Sequence, residues 1–350
     1  MHPSVNDYID KLEMSLNRRL NDNSVNNQKV HSLEGIIQMK IRLMRECVKK
    51  ISEGEFNASL SVSNHRLNSV LTQMKRELRN FILLDGLPVC EVDIRNSHSY
   101  VLGSLLNNEF FSSTSVDGYN MVSIYRELYE LLTSIGIDNK YYNIILNNGS
   151  LKNYLFSSSN IIYNNIRDIS LWSFMCGTFS SVKDIKTYNQ LPFHTGIYDY
   201  INQIFYKGEK SIETIKKGIM NFHNLKKYRK TNPVVKEMLN AFPSVNNIIE
   251  AINNLSKNKG HMSILLQRAE SYLLLKIGAQ ELLRKIPNLK FFTVHDSLVV
   301  PEYQAESVSK ILSDSISKFT GIEIGLKTKR NNPFENIENT VDEIWNKSLK

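Results

Sequence analysis

The sequence predicts an α+β protein, mostly helical, with a small antiparallel sheet. Amphipathic runs with apolar residues three and four apart recur along the chain. In AESVSKILSDSISKF (305–319), Val308, Ile311, Leu312, Ile316 and Phe319 share a face. Strand-like runs are few and short: LPVCEVDI (87–94), FFTVHDSLVVPE (291–302) and GIEIGLKT (321–328). The 291–302 run is apolar on both sides of a polar His-Asp pair, which reads as a hairpin and makes the sheet antiparallel.

The elements follow in order. Residues 1 to 56 read as helical and basic, as in QMKIRLMRECVKKI. RLNSVLTQMKRELRNFI (66–82) has helical spacing and runs into the turn signal Asp85-Gly86. LPVCEVDI is a strand that brings Asp93 to its end, and SHSYVLGSLL is a helix with Ser97 as its N-cap. Residues 107 to 190 read as mostly helical with Asn-rich connections. GIYDYINQIF and SIETIKKGIMNFHNLKKY are helices, the second weakened by Gly218. Pro233 and Pro243 break the following stretch. HMSILLQRAESYLLLKIGAQELLRKI (261–286) is the strongest helix, and Pro287 stops it ahead of the hairpin.

Composition sets the class. The chain has 350 residues, 41% hydrophobic and 22% charged, as in an ordinary globular protein with a sizeable core. No apolar run reaches the roughly 18 residues of a membrane span. The first residues lack the apolar stretch of a signal peptide, so the expectation is a cytoplasmic protein without a membrane partner. Cys47, Cys90 and Cys176 are isolated and odd in number, against a disulfide framework or structural zinc site. A net charge of +8 suits a polyanionic partner without requiring one. HNLKKYRKTNPVVK (223–236) adds Lys226, Lys227 and Arg229 around Tyr228, suited to phosphate contacts and base stacking; a solvated helix face is equally consistent.

Two acids stand out. Asp93 ends an apolar strand and Asp296 tips an apolar hairpin, and a carboxylate so placed is costly unless its charge is compensated. Two such aspartates from separate segments can bridge two Mg²⁺ ions for in-line phosphoryl transfer. Taken singly, Asp93 reads as a helix cap and Asp296 as a turn residue. A His-Asp phosphohydrolase site would need further His and Asp ligands on helices, and the other histidines lack that spacing.

Taken together, these stretches resemble the palm and fingers of family A DNA polymerases and the related single-subunit phage-type RNA polymerases, in order across about residues 65 to 302. VCEVDIRNSHSYVLGSLL is similar to motif A and TVHDSLVVPE to motif C. The resemblance implies that Asp93 and Asp296 are catalytic and hold two Mg²⁺ or Mn²⁺ ions, with the Ile94 carbonyl as a further ligand. HRLNSVLTQMKRELRNFI is similar to the segment before the palm and implies nucleic-acid contacts by Arg66 and Arg79. FHTGIYDYI places Tyr198 near the nucleotide, and SIETIKKGIMNF is the motif B candidate, with Lys217 or Lys216 on the triphosphate. LLQRAESYLLL carries Gln267 to the primer-terminal minor groove, and His295 joins the nucleic-acid contacts with Lys226, Lys227 and Arg229. His98 stands where many of these DNA polymerases carry the glutamate that excludes a 2′-OH.

The pattern also departs from the family. Glu213 replaces the motif B arginine, no Tyr-Gly follows, and motif C reads His-Asp-Ser, as in the RNA-synthesising relatives. Only 92 residues precede Asp93, few for an exonuclease and full thumb, so the expectation is a minimal enzyme. The implied layout is a right hand: a thumb-like helical region over 1–80, a palm over 81–110 and 259–350, and fingers over 111–258. The implied activity is template-directed nucleotidyl transfer, most simply DNA synthesis in replication, in a phage or mobile-element setting. Partners would be nucleoside triphosphates and a DNA template and primer, with RNA possible. A primase or small RNA polymerase, and a non-catalytic nucleic-acid-binding protein on the same fold, stay open, as does the oligomeric state.

Overall fold

The computed structural model describes residues 1–22, 27–55, 58–61, 64, 66–106, 183–223, 232–254, 261–332 and 337–348. Much of the 107–190 stretch, and Lys226, Lys227 and Arg229, lie outside the described residues.

The chain opens with α1 (Val5–Asp22) and α2 (Asn27–Ser52). Val5, Ile9, Leu12, Leu16 and Leu20 form the buried stripe of α1 and meet Leu33, Ile37, Ile41 and Met44 of α2. The stretch 66–82, expected as one helix, is broken. β1 (Ala58–Leu60) and β2 (Leu67–Ser69) pair antiparallel, then α3 (Val70–Gln73) and α4 (Arg76–Arg79) follow. The break has a local cause: Ser69 and Thr72 form a capping box, and its extended N-cap restarts the chain there.

β3 (Leu83–Leu84) and β4 (Leu87–Ile94) enclose the Asp85-Gly86 turn, where both residues have positive φ (52° and 78°), as a tight two-residue hairpin requires. α5 (Ser97–Leu105) follows. Its N-cap is Asn96 in the left-handed region (φ 54°), with no side-chain cap bond, and not Ser97 as the sequence suggested. Next come α6 (Lys183–Asn189), α7 (Ile197–Tyr206) and α8 (Ile212–His223). α9 (Pro233–Ala241) and α10 (Pro243–Asn254) each begin on the proline that broke the pattern, where a missing N–H costs nothing. Gly218, poor for helix propensity, is there for packing: a Cβ would sit 2.3 Å from the Val234 side chain, so only glycine lets α8 and α9 approach.

The long 261–286 helix divides into α11 (His261–Ser271), a π-helical segment (Tyr272–Ala279) and α12 (Gln280–Lys285). The hairpin is β5 (Phe292–Val294) and β6 (Ser297–Pro301); α13 (Ala305–Thr320) buries Val308, Leu312, Ile316 and Phe319, with Ile311 at the core's margin. The last strand, β7, runs Leu326–Arg330, later than the expected 321–328. The earlier part of that stretch closes α13 instead: Gly321 is its left-handed C-cap (φ 70°), and the Ile322 carbonyl accepts from the Tyr100 hydroxyl at 3.0 Å. α14 (Ile337–Ser348) packs on α1 and α2 through Val341, Ile344 and Trp345.

All described pairings are antiparallel. β4 is the middle of the larger sheet. It pairs with β6 along one edge, and with β3 and then β7 along the other; β5 lies outside β6. One face sends Cys90, Val92 and Ile94 into the large core with α5, the π segment and α13. From the other face, Val89, Val294 and Val299 join the core of α1, α2 and α14. Buried on both sides, β4 is a rigid rail that fixes whatever stands at its end. No described helix is long and apolar enough to cross a membrane.

Candidate active site

Period-two alternation along β4 places Val89, Glu91 and Asp93 on one face, and burial loosens from Val89 toward Asp93. Asp93 lies opposite Ser297 of β6 and Lys327 of β7. One residue on, the Ile94 N–H donates to the Asp296 carbonyl at 3.3 Å and ties the strand end to the hairpin turn. His295, at the exposed tip, holds φ 55°. Two non-glycine residues in the left-handed region, Asn96 and His295, thus flank the two aspartates, and such backbone clusters at working sites.

The electrostatics follow from this crowding. Burial, then the Asp296 charge and then Glu91, push the Asp93 carboxyl up to about 7, against the pull of Lys327. Tyr198 is pushed up to about 12 by burial, with Asp296 and Asp93 next, so its hydroxyl stays protonated beside the pair. His98 is held below the usual histidine range by burial and by Arg66. It therefore offers one N–H donor and one acceptor at neutral pH.

A cavity of about 680 Å³ opens over the aspartates. It brings together Arg66, Asp93, Ile94, His98, Tyr198, Lys216, Gln267, His295 and Asp296, nine of the residues singled out in the sequence. On α8, Ile212, Lys216 and Met220 recur every four residues and face the cavity. Lys217, one residue on and rotated by about 100°, leaves it: its side chain is 69% exposed and pairs with Glu213 at 2.6 Å. Of the two lysines, Lys216 is the one on the cavity. Arg79 pairs instead with Glu91 at 3.5 Å, below the sheet end.

Some site residues gave little sequence signal. Lys327 and Arg95 line the cavity because β7 registers against β4. Gly325 brings the 194–196 loop to the rim: a Cβ there would lie 2.4 Å from the His194 carbonyl oxygen, and the Arg95 N–H donates to the Gly325 carbonyl at 2.9 Å. Glu270, one turn beyond Gln267, is fully buried and ion-paired with Arg66. Ser297, the serine of His-Asp-Ser, shares its one hydroxyl proton between Glu91 Oε1 (2.7 Å) and the Val294 carbonyl (2.8 Å). Its hydroxyl braces the hairpin.

No protein-family model and no curated protein matches this chain. The chemical reading therefore rests on the site itself.

The donor set can be tested against a metal. Asp93 and Asp296 offer hard carboxylate oxygens, and the raised Asp93 carboxyl marks a charge conflict that a divalent cation would relieve. Among the described residues no group of three or more His, Cys, Asp or Glu side chains is assembled to hold an ion. The pair fits an ion that leaves coordination positions to water and phosphate, as Mg²⁺ does. Because the folded-state pKa of Asp93 lies above its unfolded value, its stabilising contribution is full below the ordinary aspartate range and is lost as pH rises through about 7. Mg²⁺ should therefore raise Tm more at pH 8 than at pH 5.5, relative to EDTA, and Asp93→Asn should remove that difference. Thermal unfolding at both pH values checks it; an Mg²⁺ effect independent of pH would count against the pair as the ligand.

Proposed function

We propose that this protein is a template-directed nucleotidyltransferase of the family A polymerase type, making DNA on a nucleic-acid template with two Mg²⁺ or Mn²⁺ ions. One observation carries the reading: two carboxylates from distant segments converge at adjacent strand ends, on a cavity walled by Arg66, Arg95, Lys216 and Lys327. The carboxylates call for a cation and the walls for a polyanion, and a metal-bound nucleoside triphosphate supplies both.

In this reading Asp93 and Asp296, with the Ile94 carbonyl, hold the metals. When bound, these lower the pKa of a primer 3′-OH and neutralise charge on the triphosphate. Lys216 binds the β- and γ-phosphates as a point cation. Gln267 and Arg66, at the same cavity, set the primer terminus, His295 adds a contact from the hairpin tip, and Tyr198 walls the nucleotide. α6 to α10 would serve as fingers, and the β4–β7 sheet with α5 as palm. The deciding experiment is extension of a labelled primer by the purified chain with Mg²⁺ or Mn²⁺, dNTPs or NTPs, with and without template. Template-dependent incorporation is expected; nucleic-acid binding with no incorporation under any condition would favour the non-catalytic alternative.

The choice of sugar turns on His98. It reaches the cavity from the first turn of α5, five residues after Asp93. Its bulk favours excluding a 2′-OH, so dNTPs are the expected substrates. His98→Gly should raise the NTP-to-dNTP ratio of kcat/KM about 10–100-fold, the scale of one steric contact, with little loss of dNTP use. A wild-type enzyme that prefers NTPs would promote the primase or RNA polymerase reading, because a neutral imidazole can also hydrogen-bond a ribose.

A further inference from the structure

Glu270 is the most deeply buried carboxylate beside the cavity, its side chain 0% exposed. A charge there is tolerated only with a partner, and the partner is Arg66, itself 18% exposed. Arg66 keeps unused donor capacity: its Nε is buried without a partner. It lines the same cavity as Asp93 and Asp296. Its charge acts on His98 and His295, and the charge of Asp296 acts on both histidines and on Glu270. A guanidinium is a flat fork matched to carboxylates, and its long arm is flexible. Released from Glu270, it would face the same cavity as the two aspartates. A fork closed on Asp296 would satisfy the negative charge that a metal must find.

We propose that Glu270 is a positioning residue that holds the Arg66 guanidinium away from Asp93 and Asp296, so that the aspartates stay open to a divalent cation. An arginine off the cavity is held in a similar way. Arg79 is tied to Glu91, which also takes the Ser297 hydroxyl, and the Arg79 Nε is likewise buried and unpartnered. Arg66 and Arg79 thus each have a glutamate of their own, whereas Arg95, on the cavity wall, donates to the Leu326 and Thr195 carbonyls at 3.0 and 3.4 Å. The inference rests on the metal-binding reading of the aspartates.

The test is Mn²⁺ binding by calorimetry on the full chain, with no substrate present. Glu270→Gln keeps the shape and removes the charge; its Kd for Mn²⁺ should rise about tenfold or more. Adding Arg66→Met to that variant should return the Kd to the wild-type level or below, which a purely structural role for Glu270 would not produce. Arg66→Met alone should bind Mn²⁺ at least as tightly as wild type, and it decides the matter should Glu270→Gln fail to fold. Unchanged Mn²⁺ affinity in a folded Glu270→Gln variant overturns the proposal alone, as does absence of rescue in the double variant or weakened binding in Arg66→Met. Wild-type protein that binds no Mn²⁺ overturns the metal reading and the proposal with it.

Discussion

Asp93→Ala and Asp296→Ala are each expected to lower nucleotide incorporation by at least about 10³-fold, or ~4 kcal/mol in the barrier. The effect is large because each aspartate would hold metal that no neighbour can hold alone. Among the described residues no third ligand group stands in reserve. The fold should survive. Asp93 belongs to β4, whose pairing is backbone and whose core side chains are Cys90, Val92 and Ile94. Removing a carboxylate pushed up to about 7 relieves a charge conflict, so Asp93→Ala should melt no lower than wild type at pH 8 without metal. Single-turnover extension, with thermal unfolding as the folding control, measures both. Incorporation within tenfold of wild type by either variant would remove that aspartate from catalysis.

The second large effect concerns α8. Lys216→Ala is expected to lower kcat/KM for the nucleotide about 10–100-fold, the scale of a lost hydrogen bond to a charged group, while template affinity stays near wild type. Lys217→Ala should do little, since Lys217 is exposed and its pairing with Glu213 is a surface i,i+4 contact screened by solvent. Steady-state kinetics on both variants decides the register. A larger effect at Lys217 would show that α8 turns before the nucleotide is bound; no effect at either would place the triphosphate elsewhere.

Much of this site was legible in order along the chain. Asp93 and Asp296 were visible because an acid at the end of an apolar strand conflicts with its surroundings, and at Asp93 that conflict survives in the fold as a raised carboxyl. Gln267 was singled out only through the resemblance, and Glu270, three residues on, has the spacing to share its face. The motif reading put Lys217 first and Lys216 second, and the cavity reverses that order; adjacent helical residues differ only in direction, and direction is set by which face of α8 is buried. That choice follows from Ile215, Ile219 and Phe222 entering the core.

The sequence by itself determined the local elements: the alternation of β4, the 3.6-residue stripes of α1 and α13, the proline starts of α9 and α10, and the Asp85-Gly86 turn. These depend on contacts within a few residues. Tertiary structure alone decided the rest. It moved the last strand to Leu326–Arg330, where β4 offers a free edge; the break in 66–82 is by contrast local, set by the Ser69–Thr72 capping box and the short β1–β2 pairing. It also assigned Arg66 to Glu270 and Arg79 to Glu91, pairings across 204 and 12 residues. Charges choose partners by distance and burial in the folded chain, and a linear pattern records neither.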